Sequence, residues 1–203
     1  MARTRTFIAV NIGPEIRHAA AALQQDLTAV SPAARWVEPE SLHITLAFLG
    51  DVNDREIPAL CATVAAAVKP LPPFTLAVAG LGAFPTPRRP KTIWAGITEG
   101  RDELIAIQAA LIEPLESLGV YRREDRGFTP HLTPGRIKSE EGDSPLAGEI
   151  PKRAAWTAGR ADVSDVIIYG SERRRTGPEY TVLGRAALRG RKARREPLPE
   201  SAN

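Results

Sequence analysis

The sequence predicts an α+β fold in which one β-α-β-α-β unit is used twice. This gives two lobes of mainly antiparallel sheet, related by an approximate two-fold axis, around a central groove. Two observations lead there. Strand-like and helix-like patterns alternate along the chain in an order that nearly repeats. Each half also holds a strand pattern with the same polar insert: His43 and Thr45 in "SLHITLAFLG", His131 and Thr133 in "FTPHLTPGRI". These use two of the three histidines in the chain. A length of 203 residues suits one full-sized domain or two small lobes sharing a core.

The elements follow in order. "RTFIAVNI" is a short apolar strand, and "PEIRHAAAALQQDLTAV" has helical spacing with Pro14 near its first turn. "ARWVEP" is a short extended piece. "LHITLAFLG" is a strand ended by Gly50, and "NDREIPALCATVAAAV" is a helix capped by Asn53 or Asp54. "PFTLAVAGLGAF" and "TIWAGIT" are strands on either side of the loop "PTPRRPK". "RDELIAIQAALIEPLESLG" is a helix interrupted near Pro114 and stopped by Gly119. After the second histidine strand, 139–160 reads as loop with one short helix, and "DVSDVIIYGSE" and "EYTVLGRAAL" close the body as two strands joined by the turn "RRRTGP".

The body spans 1–188 as one two-lobed domain, followed by a tail, 189–203. That tail holds five basic and two acidic residues, which accounts for the whole net charge of +3 and leaves the body balanced. It lacks periodicity and apolar content and reads as disordered. It either adds sequence-independent attraction to a phosphate backbone or only keeps the chain soluble. The single cysteine, Cys61, rules out an internal disulfide and a cysteine metal cluster. No apolar run reaches the length of a membrane span, and "MARTRTFIAV" reads as a first strand rather than a leader. A cytoplasmic monomer with no membrane partner is the expectation.

Side chains alternate between the faces of a strand. His43 and Thr45 therefore share a face opposite Ile44, and His131 and Thr133 one opposite Leu132. The apolar set packs inward and the His/Thr set faces the groove. Two imidazoles flanking one ligand can divide proton transfers, one accepting and one donating. Each transfer contributes about 10²–10⁴ in rate. That pairing suits phosphodiester cleavage, with the threonine hydroxyls holding phosphate oxygens and Arg136 adding a bidentate grip. Zinc sites want three or four ligands, and neither H-E-x-x-H nor H-x-H occurs; His18 falls on the surface of the first helix. Strict alternation places Phe48 and Arg136 opposite their histidines, so each strand must end, bulge or twist if either residue is to reach the groove. Pro134 cannot donate to a ladder, which puts its strand at an edge or at its end. Trp36, Trp94 and Cys61 read as core. Arg88, Arg89, Lys91 and the segment Tyr121 to Arg123 either line the path of the ligand or are ordinary solvated surface.

Taken together, "RTFIAV", "RWVEPESLHITLAFLGDV", "GLGAFPTPRRPKTIWAGI", "FTPHLTPGRIK" and "GPEYTVL" resemble the two-histidine phosphoesterases. Within them the match is to the bacterial RNA 2′,3′-cyclic phosphodiesterases, also called 2′-5′ RNA ligases, over about residues 4–188. The resemblance implies His43 as general acid for the ribose O3′ leaving group and His131 as general base for water. It implies Thr45 and Thr133 as phosphate ligands, Arg136 as a clamp in the transition state, and Phe48 as a stacking platform for the terminal base. It further implies a product with a 2′-phosphate, reversible 2′-5′ ligation at the same site, and no metal or nucleotide cofactor. The implied partner is a single-stranded RNA end bearing a 2′,3′-cyclic phosphate, a tRNA-derived end among the candidates. Two alternatives stand beside it: a non-catalytic RNA-end binder, and a phosphodiesterase of a small cyclic nucleotide.

Overall fold

The computed structural model describes residues 2–31, 34–123, 127–137, 144–174 and 177–191. Strand β1, Arg3–Asn11, leads into helix α1, Gly13–Val30, with Pro14 in its first turn. A short strand β2, Ala34–Trp36, precedes β3, His43–Asn53. The Asn53 side chain accepts the Arg55 N–H at 3.1 Å and opens a 3₁₀ turn before α2, Ile57–Val68. Strands β4, Phe74–Thr86, and β5, Arg89–Glu99, form a hairpin. Most of "PTPRRPK", expected as a loop, belongs to that hairpin, because the ladder continues through Pro85–Pro90 and Thr86–Arg89. Helix α3, Arg101–Ser117, contains Pro114 and is followed by Gly119 at φ +74°. Then come β6, Leu132–Ile137, helix α4, Ser144–Lys152, and β7, Thr157–Val163. Of the stretch expected as mostly loop, 139–143 lies outside the described residues. Strands β8, Asp165–Arg174, and β9, Gly177–Ala187, close the body as an antiparallel pair.

The strands form two antiparallel sheets, ordered β3-β1-β8-β9 and β2-β6-β5-β4-β7. Helices α2 and α3 pack together, α2 on β9 and α3 on β3. Helix α1 lies on β7 and β6, and α4 on β4 and β5. Each sheet thus has two helices on one face. The lobes are not consecutive halves of the chain: β1 and β3 join β8 and β9 in one, and α1 crosses to cover the other. Inward residues of both sheets, such as Ile8, Ile44, Ile93 and Leu132, share one continuous core with Leu23, Leu60, Leu104 and Leu111 from the helices. Among the described residues no helix is long and apolar enough to cross a membrane. The backbone N–H groups of Arg189 and Gly190 donate to the Lys69 and Leu71 carbonyls at 3.1 and 2.9 Å, so ordered packing continues to Gly190. The rest of the expected tail, 192–203, lies outside the described residues.

Pro134 sits neither at a sheet edge nor at the end of its strand. β6 runs between β2 and β5 and continues to Ile137. The missing N–H is accommodated by a bulge: β5 pairs through Ala95–Leu132 and then Ile93–Gly135, skipping Thr133 and Pro134. The Pro134 carbonyl is fully used, accepting the Val37 N–H at 2.9 Å and the Gln24 side-chain amide at 2.9 Å. Gln24 also donates to the Val37 carbonyl at 2.7 Å, so one buried amide on α1 ties the second histidine strand to the chain entering the first.

Gly135 serves this packing by its lack of a side chain. A Cβ there would lie 2.5 Å from Trp36 Cε3, and the residue is not in the left-handed region. Gly135→Ala should cost about 1–3 kcal/mol of overpacking and lower the melting temperature by several degrees. A melting curve superposing on the parent would show that Trp36 yields without cost.

Candidate active site

His43 opens β3 and His131 stands immediately before β6. Their surroundings along the backbone match. His43 Nδ1 lies 2.7 Å from the Ser41 carbonyl oxygen, and His131 Nδ1 lies 2.7 Å from that of Thr129. A carbonyl oxygen only accepts, so Nδ1 carries the proton in both rings and Nε2 is the nitrogen left for chemistry. Ile44 and Leu132 on the opposite face are fully buried, which leaves Thr45 and Thr133 half-buried beside their histidines. β3 and β6 approach each other where the sheets meet. The two His-x-Thr strands thus come together at the seam, each histidine bordering a cavity of its own.

Irregularities in the ladders change the faces that the remaining predicted residues take. β1 pairs with β3 through Ala9–Thr45 and then Ile8–Ala47, so Leu46 is an extra residue. Leu46 and Ala47 are both buried, and Phe48 returns to the face of His43. The Phe7 ring records this, stacking on His43 at 4.8 Å while lying 6.1 Å from Phe48. Phe48 is 58% exposed. On β6 the bulge at Thr133 and Pro134 buries Pro134 and Gly135 in succession and sends Arg136 outward. Its charge acts on Tyr180, a residue of the other sheet.

The two rings differ in what encloses them. Phe7 stacks on His43, Tyr180 meets it edge-on at 5.4 Å, and Tyr169 lies 6.1 Å away. This burial favours the neutral ring and holds the His43 pKa below its usual value of 6.5; the bond to Ser41 opposes the shift without cancelling it. Burial likewise pushes the Tyr169 and Tyr180 phenols up, so both remain protonated donors near neutral pH. A cleft of about 460 Å³ opens beside His43 between Tyr169, Tyr180, Ser41 and Arg174, with Glu38, Glu40 and Glu179 on its rim. His131 has one ring neighbour, Phe84, edge-on at 5.4 Å, and a smaller pocket of about 210 Å³. Among the described residues no three His, Cys, Asp or Glu side chains are grouped to hold a metal ion. His18 is on the exposed face of α1, away from both rings.

Sequence reasoning missed the residues that frame the histidines: Phe7, Tyr169, Tyr180 and Phe84. Phe48, Phe7 and Tyr169 form a row across β3, β1 and β8, each opposite the next. Strand pairing was the missing information, since nothing in "RTFIAV" or "VIIYG" marks which strand lies beside which. Trp36 packs on the core as expected. Trp94 is half-buried and borders the His131 pocket. Cys61 is half-buried on α2, with its thiol 3.8 Å from the Leu183 carbonyl.

Residues 10–94 match the family described as LigT like Phosphoesterase. The chain is 31% identical to an RNA 2′,3′-cyclic phosphodiesterase of Methanothermobacter thermautotrophicus, over 88% of this chain and 96% of that one. It is 33% identical to one of Archaeoglobus fulgidus, over 88% and 97%. The fold matches a crystal structure from Thermus thermophilus with a TM-score of 0.77 at 26% identity, covering 92% of this chain and 98% of that one. It matches E. coli LigT complexed with 3′-AMP with a TM-score of 0.73 at 27% identity, over 92% and 98%. The chain belongs to the LigT-like phosphoesterases of the two-histidine superfamily.

The aromatic enclosure makes a titration prediction. Tyr180→Ala admits water to His43, so its pKa should rise toward 6.5, read from the imidazole protons by NMR. An unmoved value would mean that Tyr180 plays no part in the shift. The sign also sets stability. Below pH 6.5 the unfolded chain takes up a proton at this position that the folded chain refuses, so stability falls on acidification and less steeply in Tyr180→Ala.

Proposed function

We propose that this chain hydrolyses RNA 2′,3′-cyclic phosphate ends to 2′-phosphomonoesters by paired histidine acid–base catalysis, with no metal or nucleotide cofactor. The observation that carries the reading is the matched Nδ1–carbonyl bond at both histidines, which leaves Nε2 for proton transfer in each ring. The names of the relatives support the substrate, and the 3′-AMP held by E. coli LigT supports a nucleotide site in this fold.

In this mechanism His131 Nε2 takes the proton of the attacking water, a new P–O bond forms, the P–O3′ bond breaks, and His43 Nε2–H protonates O3′. Thr45 and Thr133 donate hydroxyl hydrogen bonds to the non-bridging oxygens, and Arg136 spreads over the charge of the transition state. Phe48 stacks on the terminal base. Burial alone leaves His43 neutral in the free protein, the wrong form for an acid. A bound phosphodiester anion favours the imidazolium and so offsets the effect of burial. The same steps with an RNA 5′-hydroxyl in place of water give a 2′-5′ linkage, and in water hydrolysis prevails because the 5′-hydroxyl is dilute.

A short RNA with a 2′,3′-cyclic end should be converted to the 2′-phosphate at an undiminished rate in EDTA, by chromatography of the products. Activity lost to chelator and restored by zinc or manganese would refute the metal-free mechanism. The acid and base assignments separate on leaving groups. His43→Ala should lose about 10²–10⁴ in rate on the cyclic ribose phosphate. It should recover much of that, relative to the parent, on a p-nitrophenyl phosphodiester, whose leaving group needs no proton. His131→Ala should stay impaired on both. Recovery in His131→Ala instead would reverse the roles.

A further inference from the structure

The large apolar side chains left exposed among the described residues are Phe48, Phe84 and Val182. Phe48 has a role beside His43. Phe84, 41% exposed, has none, yet it stands beside the second histidine. Its ring meets His131 edge-on at 5.4 Å and lies 5.6 Å from Trp94 at 36°. These two rings, with Gly96 and Ile97, wall the pocket of about 210 Å³ on which His131 opens. Arg101, more than half exposed at the start of α3, supplies a cation at its margin. The volume lies below that of a drug-sized ligand site and suits a single planar fragment.

We infer that this pocket binds the nucleoside that carries an attacking 5′-hydroxyl, making it the second nucleoside subsite of a 2′-5′ phosphodiester. The inference rests on the proposed assignment of His131 to the nucleophile. In-line displacement puts the attacking and leaving oxygens on opposite sides of phosphorus. The group delivering the nucleophile therefore sits on the His131 side, away from the base on Phe48. In the joining step the O5′ proton passes to His131 Nε2, the P–O5′ bond forms, the P–O3′ bond breaks and His43 Nε2–H protonates O3′. Water needs no such pocket. An RNA 5′ end does, with its first base against Phe84 and Trp94 and its next phosphate toward Arg101. Every base has a π-face, so the subsite discriminates little between bases.

The test uses two ligands of equal charge that cannot react. One is a 3′-deoxy, 2′-5′-linked dinucleoside monophosphate, which lacks the 3′-hydroxyl needed to re-form the cyclic phosphate. The other is the matching 3′-deoxynucleoside 2′-(methyl phosphate), which lacks only the second nucleoside. Their inhibition constants are measured against hydrolysis of a cyclic-ended RNA. The dinucleotide should bind about tenfold more tightly, the usual worth of one base stacked on an aromatic ring. The ratio should fall to near one in Phe84→Ala and to an intermediate value in Phe84→Leu. Any effect of these changes through His131 falls on both ligands and cancels in the ratio. Equal binding by the parent, or a ratio that survives Phe84→Ala, overturns the subsite. Absence of cyclic-end hydrolysis in the parent overturns the proposed activity instead, and the inhibition constants are then replaced by calorimetric dissociation constants for the same two ligands.

Discussion

The bond from each histidine Nδ1 to the carbonyl two residues upstream is the constraint on which the site depends. It costs no side chain and leaves no choice of tautomer, since the acceptor cannot donate. It also ties each ring to the backbone just ahead of its strand, so the position of the strand becomes the position of Nε2. Placing the two strands then places both Nε2 atoms. The helices α1 to α4 serve this end by covering the outer faces of the sheets and leaving the His/Thr faces open.

The bulges do the next share of the positioning. A regular ladder would send Phe48 and Arg136 to the faces opposite their histidines. The extra residue at Leu46 and the skipped pair at Thr133 and Pro134 reverse that. Both devices hide in buried residues: Leu46 and Ala47 on one strand, Pro134 and Gly135 on the other. The second is braced by Trp36 against Gly135 and by Gln24 on the Pro134 carbonyl.

Approximate symmetry of the strands does not extend to their surroundings. His43 is packed among three aromatic rings and favours its neutral form, whereas His131 has one aromatic neighbour and an apolar pocket. Two matching His-x-Thr patterns thus acquire different packing from strands that do not carry them: β1, β8 and β9 around His43, β4 and β5 around His131.

Much of this was legible in the sequence. Alternation within a strand puts His43 with Thr45 and His131 with Thr133 whatever the rest of the chain does, and the helical and strand patterns name nearly every element. Backbone periodicity is local, so local sequence determines it. What only the tertiary structure decided is non-local. The exchange of strands between lobes, the central place of β6 despite Pro134, the row of Phe48, Phe7 and Tyr169, and the meeting of Phe84 with His131 all depend on which strands pair and in what register. Pairing is settled by the burial of the whole core at once, and no single stretch of residues carries that information.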